Sequence, residues 1–372
     1  MDPLRYGIIG TGMMGQEHMR NIALLGDARV TAICDPDADM RAQAAALAGG
    51  AQAFSDHRAL IAADLCDAYV LAAPNDLHLG LMRDLMATDK PILCEKPLAT
   101  TSADCRALMQ AAEARRAPVW VAMEYRYMPP VERLRAALQE GRAGTPRMVS
   151  IREHRFPFLD KVGDWNRFNA RTGGTMVEKC CHFFDLMRLL LGSDPIRVYA
   201  SGGADVNHRE ERYDGRVPDI VDHAYVTVDF ASGTRAMLEL CMFAEGSQWQ
   251  EVVSVTGDRA RLDACVPGPA RFAPDGQERQ SEFVISDRAS KRETREAVEV
   301  DASILGAGDH HGSTYFQHER FAQLVRSGTG TPEVSLTDGY WSVLVGEAAE
   351  RSIRTHQVID LRENGHPAAS AA

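Results

Sequence analysis

Three glycines carry the first chemical signal in the chain. The run Gly10-Thr11-Gly12-Met13-Met14-Gly15 follows a short apolar stretch at 6–10 and opens a helical pattern over 13–25. In that context the first glycine permits a tight turn. The second lets a pyrophosphate approach the backbone, and the third lets the helix pack on the strand. The N–H groups of the helix start then face phosphate charge. Asp35 ends the next strand pattern, 20 residues beyond Gly15. A carboxylate there accepts hydrogen bonds from adenosine ribose hydroxyls and repels a 2′-phosphate. Gly10, Thr11, Gly12, Met13, Met14, Gly15 and Asp35 are therefore expected to bind NAD. NADP is the alternative, because Arg41 stands nearby in sequence.

A second set of residues suits proton transfer. Lys96 follows the strand pattern at 91–94 and lies between Glu95 and Pro97. A compact cation at a strand's carboxyl end can stabilise a developing alkoxide. His182 titrates near neutrality and suits a general base. On one continuous helix over 175–191, Glu178 at i−4 and Asp185 at i+3 would share its face. His182 is assigned as base, and Glu178 as a hydroxyl ligand or proton partner. Asp185 would orient the imidazole or bind substrate. Cys180-Cys181-His182 also invites a metal reading, but adjacent cysteines on a helix diverge and the usual zinc spacings are absent, so no metal is expected.

The elements that must position these residues fall into two grammars. Over 1–125, apolar strands near 6–10, 30–34, 68–73, 91–94 and 119–123 alternate with helical stretches at 13–25, 37–48, 77–87 and 102–115. That alternation predicts an α/β fold with a doubly wound (Rossmann) parallel sheet, here a nucleotide-binding domain. Past Pro129-Pro130 the pattern changes to helices near 131–140 and 175–191 and strands near 147–155, 196–201, 222–231, 234–243, 250–256 and 259–264. These predict an α+β domain over 126–362 on a large, mostly antiparallel open sheet. Residues 266–300 give no clear periodicity. Helices at 313–326 and 337–355 and a strand at 358–361 follow, and 363–372 reads as a disordered tail.

Bulk properties narrow the partners. The 372 residues suit about two domains, and 45% apolar with 25% charged residues is ordinary for a globular protein. A balance of 41 basic to 52 acidic residues, net −11, disfavours nucleic acid as partner. No apolar run approaches the ~18 residues of a membrane span, and no signal-like core opens the chain. Eight cysteines scattered through the chain, mostly in apolar stretches, fit reduced thiols, hence a cytoplasmic location.

Three further motifs carry a family likeness. They are Ala73-Pro74-Asn75-Asp76-Leu77-His78, Glu95-Lys96-Pro97-Leu98, and Gly173-Gly174-Thr175-Met176-Val177-Glu178 with His182 and Asp185 downstream. In this order they resemble the family of glucose–fructose oxidoreductase, inositol dehydrogenase and the rhizopine catabolism protein. The resemblance implies an NAD(P)-dependent dehydrogenase acting on CH–OH groups of sugars or cyclitols, with an inositol-like polyol the best single guess. It places Lys96 and His182 at the catalytic centre. It puts Pro74, Asn75, His78 and Glu95 on the nicotinamide side, and Arg126 at the cleft. Trp165, Arg167 and His311 are then candidate substrate contacts, together with Lys96, Arg126, Glu178, His182 and Asp185. Most relatives carry Asp where this chain has Glu178. Glu124 reads as an interface charge. The family's open sheet implies a homodimer or homotetramer. Two other readings share these residues: an enzyme that recycles NAD during sugar elimination or glycoside cleavage, and a nucleotide-sensing regulatory protein.

Overall fold

Short strands that are apolar on both faces need helices on both sides, and the first half of the chain supplies them. In the computed structural model, which describes residues 2–362, the expected disordered tail at 363–372 lies outside the described residues. Strands β1 (Leu4–Ile9), β2 (Ala28–Cys34), β3 (Gln52–Phe54), β4 (Ala68–Leu71), β5 (Ile92–Glu95) and β6 (Val119–Ala122) pair in parallel, in the order β3-β2-β1-β4-β5-β6. The order reverses at the β1/β4 neighbour pair, where a doubly wound sheet opens a crevice at its carboxyl edge. Strand β3 and the helix His57–Ala62 had no sequence signal. Each is short, and β3 is mostly exposed at a sheet edge.

The second sheet comprises β7 (Pro146–His154), β8 (Pro195–Gly203), β9 (His223–Phe230), β10 (Arg235–Cys241), β11 (Glu251–Gly257), β12 (Ala260–Val266), β13 (Ser281–Asp287), β14 (Glu293–Val298) and β15 (Ile359–Asp360). Its order is β14-β13-β12-β11-β7-β10-β9-β8-β15, antiparallel except for β7 beside β10. Strands β13 and β14 occupy the stretch that showed no periodicity. In β14 every residue but the last is exposed, so no buried face imposes an alternation on its sequence.

Helices Pro129–Gln139, Cys181–Leu191 and Leu336–Thr355 cover one face of this sheet. The other face leaves Met148, Tyr199, Tyr225 and Met237 exposed on four neighbouring strands. Helix Leu336–Thr355 starts with a reciprocal cap between Ser335 and Asp338, which satisfies two otherwise orphaned backbone N–H groups. It packs on the first domain's helix Ser102–Ala112 as well as on Cys181–Leu191. A Cβ on its Gly339 would stand 3.0 Å from Leu98 Cβ, and one on Gly346 would stand 2.7 Å from the Met176 carbonyl oxygen. The one helix thus touches both the Lys96 loop and the segment leading to His182.

That segment departs from expectation. The single helix expected over 175–191 is two helices, Thr175–Glu178 and Cys181–Leu191, with Lys179 and Cys180 between them. Among the described residues no helix is long and apolar enough to cross a membrane, and all eight cysteines are unbridged.

Candidate active site

A cleft of about 710 Å³ opens at the carboxyl edge of the parallel sheet. Gly10, Gly12, Met13 and Met14 line it, with Asp35, Asp37 and Asp56 toward one side and Pro74, Asn75, Glu95, Lys96, Trp165 and Glu178 toward the other. The glycines divide their work as the motif requires. A Cβ on Gly10 would sit 2.5 Å from the Ala72 backbone, and one on Gly15 would sit 2.1 Å from the Gly10 carbonyl oxygen. At Gly12 nothing lies within 4 Å, so its bare backbone faces open cleft. That is a cradle which a side chain would fill and a pyrophosphate can use. Thr11 and Gly15 are absent from the lining. Thr11 is buried and donates from its N–H (2.7 Å) and hydroxyl (3.1 Å) to Asp35 Oδ2, which fixes that carboxylate at the rim. Arg41 spends one guanidinium nitrogen on the carbonyls of Asp35 and Pro36. With three carboxylates at the same rim, the site suits a ribose diol better than a 2′-phosphate.

The break at Lys179 and Cys180 frees a backbone acceptor. In an unbroken helix the Glu178 carbonyl would accept the His182 N–H. Here it accepts the Lys96 ammonium at 3.0 Å, and the Cys181 thiol approaches it at 3.5 Å. Burial works against the Lys96 cation, but Cys181, Glu178, Glu124 and Glu95 together hold its pKa above the ordinary lysine value. Glu95 is fixed from behind, accepting from the Lys96 N–H and pairing with His18 at 2.9 Å. The Glu178 carboxylate accepts from Asn75 Nδ2 at 3.0 Å and from Lys161 at 3.1 Å, while Lys161 also lies 4.4 Å from the centre of the Trp165 ring. These residues come together in the cleft.

Several candidates lie elsewhere. His78 is buried and hydrogen-bonds the Pro97 and Ala73 carbonyls, so it props the Lys96 loop from beneath and is not a cleft wall. Arg126 and Asp185 form a buried ion pair, Nε to Oδ2 at 2.6 Å, and Arg126 also donates to the Glu333 carbonyl. Neither lines the cleft, and Asp185 does not reach the imidazole. The helix break takes Glu178 off the expected stripe, while Asp185, still on one helix with His182, is held by Arg126 instead. Arg167 is buried between Asp160 and Glu211 and carries no free edge for substrate. His311 lines a separate hollow of about 490 Å³, and burial pushes its pKa down to about 4. It is the neighbouring His310 that turns inward, 2.7 Å from Glu17 and 6.1 Å from the Tyr125 ring.

His182 is wholly buried behind the cleft. Its ring stacks on Tyr125 with centroids 4.1 Å apart, and its Nε2 lies 3.5 Å from Glu124 Oε1. Its Nδ1 and both Glu124 oxygens make no hydrogen bond. Burial first, then the cations Lys96, Lys179, His310 and Arg155, hold His182 neutral, far below the usual imidazole pKa. Burial and Glu95 push Glu124 up to about 7. Beyond Tyr125, Lys179 pairs with Glu153 at 2.8 Å and meets the Tyr125 hydroxyl. Sequence reasoning read Glu124 as an interface charge and passed over Lys179. Glu124 follows β6 at the same carboxyl edge as Gly10, Pro74 and Lys96, and that position was a readable signal. Lys179 had none, because its inward placement comes from the helix break.

Comparison with known proteins bears on the fold that carries this cleft. Residues 4–123 match the family described as "Oxidoreductase family, NAD-binding Rossmann fold", and residues 135–361 match its "C-terminal alpha/beta domain". An inositol 2-dehydrogenase of Pseudomonas fluorescens is 32% identical over 315 residues, 82% of this chain and 86% of the relative. The rhizopine catabolism protein MocA of Rhizobium meliloti is 28% identical over 82% of this chain and 93% of its own length. A crystal structure of a probable dehydrogenase from Thermotoga maritima superimposes with a TM-score of 0.77 at 25% identity, covering 97% of this chain and 99% of the other.

Proposed function

The chain belongs to the oxidoreductase family of glucose–fructose oxidoreductase, inositol dehydrogenase and the rhizopine catabolism protein, with that family's NAD-binding Rossmann domain, and on that premise we propose that it oxidises a secondary hydroxyl of a sugar or cyclitol, an inositol-like polyol first. One observation carries this reading. A half-buried lysine, Lys96, ends the nucleotide cleft and is anchored on the backbone of Glu178, four residues before a buried neutral imidazole, His182. The inositol 2-dehydrogenase relative supports the choice of polyol.

NAD would be held by the Gly10–Gly15 turn, Asp35, Pro74 and Asn75, and when bound it supplies the hydride acceptor. The protein does the rest. Lys96 stabilises negative charge as it grows on the reacting oxygen. His182, neutral before reaction, is ready to take the hydroxyl proton. Glu178, held by Asn75 and Lys161, offers acceptor oxygens to neighbouring hydroxyls, and Trp165 offers an apolar face to ring C–H groups. The exposed Met148, Tyr199, Tyr225 and Met237 form an apolar patch that supports self-association as a homodimer or homotetramer.

The test is a panel of inositols, hexoses and sugar acids with NAD and with NADP, followed by absorbance of the reduced nicotinamide. NAD-linked oxidation of a free polyol is expected. Lys96→Ala and His182→Ala should each lower turnover by at least ~10²-fold while NAD binding persists. Turnover of none of the panel, or near-normal turnover in either variant, would reject the reading.

A further inference from the structure

We propose that His318, on a helix of the second domain, is a positioning residue for Lys96 that acts through His18 and Glu95. Its Nε2–H donates to His18 Nδ1 and so fixes His18 as a neutral ring that gives its own Nε2–H to Glu95. Glu95 is then hydrogen-bonded without being neutralised, and it keeps its negative charge for the neighbouring Lys96. The proposal rests on the reading of Lys96 as the group that stabilises the reacting oxygen. His318 itself, wholly buried, never touches substrate.

The side chains form an unbroken chain across the domain boundary. His18 lies in helix Met13–Ala23, which starts at the nucleotide turn, and His318 lies in helix Ser313–Ser327, 300 residues later. His18 Nδ1 and His318 Nε2 are 2.8 Å apart, and His18 Nε2 is 2.9 Å from Glu95 Oε1. The other Glu95 oxygen accepts the Lys96 N–H at 3.0 Å. Both histidines are shut off from solvent, whereas Glu95 borders the cleft. The His318 ring stands edge-on to Tyr6, with centroids 5.6 Å apart, and at 89° to the His18 ring. The second domain thus reaches the Lys96 loop through two rings held by packing.

Counting hydrogens assigns the tautomers. A neutral imidazole has one N–H and one lone pair, and a carboxylate has only acceptors. Glu95 accepts at both oxygens, so His18 Nε2 carries a hydrogen. One further hydrogen lies between His18 Nδ1 and His318 Nε2. If it belonged to His18, that ring would be an imidazolium, and His318 would carry its own hydrogen on Nδ1, which is buried without a partner. If it belongs to His318, both rings are neutral and Nδ1 is an idle lone pair. Buried N–H groups left without an acceptor are rarer than under-used acceptors, and burial disfavours an imidazolium. The geometry therefore favours the neutral pair. The Lys96 ammonium sits on the Glu178 carbonyl and draws on carboxylates only at longer range. A Glu95 neutralised by an imidazolium would offer it little. A Glu95 bonded to a neutral ring helps hold the ammonium charged as negative charge grows on the substrate oxygen.

The experiment measures turnover of the best polyol of the panel, and NAD affinity, in wild type, His318→Leu, His318→Gln and Lys96→Ala. Nitrogen-15 NMR of the full histidine-labelled chain near neutral pH reads both rings and needs no substrate, with signals assigned by His18→Gln and His318→Gln. Wild-type His18 should be neutral with its hydrogen on Nε2, and His318 should carry its own on Nε2. His318→Leu removes the donor, so His18 should take up a second proton. Turnover should then fall by about ten-fold with NAD affinity little changed. Glutamine still offers an N–H to His18 Nδ1, so His318→Gln should keep the wild-type His18 signal and rate. A wild-type His18 imidazolium, or a His318 protonated on Nδ1, would overturn the proposal even if His318→Leu did not fold. Equal rates in wild type and His318→Leu, or a His318→Gln as slow as His318→Leu, would overturn it as well. Lys96→Ala separates the two readings: full activity there sinks the role of Lys96, whereas inactivity beside a wild-type-like His318→Leu sinks only this inference.

Discussion

Lys96 is anchored on a backbone oxygen. The Glu178 carbonyl accepts its ammonium because the helix does not continue through Lys179 and Cys180. Gly10, Gly12, Lys96 and Glu178, which line the cleft, could be named from sequence, because short motifs state them in order. What Arg126 and Asp185 do could not be read that way. Both are charged and near the right elements, yet they neutralise one another in the interior, and Arg126 also reaches Asp338 at 3.5 Å. Their spacing of 59 residues carries no local signal. A stability effect without a chemical one is therefore expected. Arg126→Ala would leave Asp185 buried without its cation, at a cost of roughly 3–5 kcal/mol. Urea denaturation should show a lower midpoint, while KM for polyol at a temperature where the variant is folded should change little. A large rise in KM with unaltered stability would instead return Arg126 to the substrate site.

At the scale of elements, the parallel sheet was legible because its strands are continuous apolar runs closed by turns. The antiparallel sheet was legible where one face is buried, as in β9, and was lost in β14, whose side chains meet water on both faces. The break between Thr175–Glu178 and Cys181–Leu191 had no such signal, since its causes are tertiary. Gly346 belongs to this level. Its place opposite the Met176 backbone lets helix Leu336–Thr355 approach the short helix closely. Gly346→Leu should push the two apart and displace Glu178 from Lys96, costing typically ~1–3 kcal/mol of strain. Turnover should drop more than NAD affinity, which isothermal titration of NAD beside steady-state assays would read. Equal losses in both would show that the helix supports the whole fold and not the junction in particular.

For the molecule as a whole, the two sheets meet through residues far apart in the chain. Glu17 in the first helix accepts from His310 and Thr314, and helix Leu336–Thr355 crosses between the halves. The outward face of the second sheet is the part left without cover. Tyr225 is 59% exposed and Met237 36%, on adjacent strands. An association through this face should be broken by the double substitution Tyr225→Lys with Met237→Glu. Sedimentation velocity should then show a single chain of 40.8 kDa where wild type sediments as a multiple of it. Equal sedimentation of the two would remove this face from the assembly.

Helix Leu336–Thr355 also sets an order of events. It is translated after both segments it clamps, the Lys96 loop and the stretch before His182. A growing polypeptide on the ribosome can therefore complete a nucleotide-holding half long before any oxidising centre exists. The contacts of this helix to both segments can form only once both have been made.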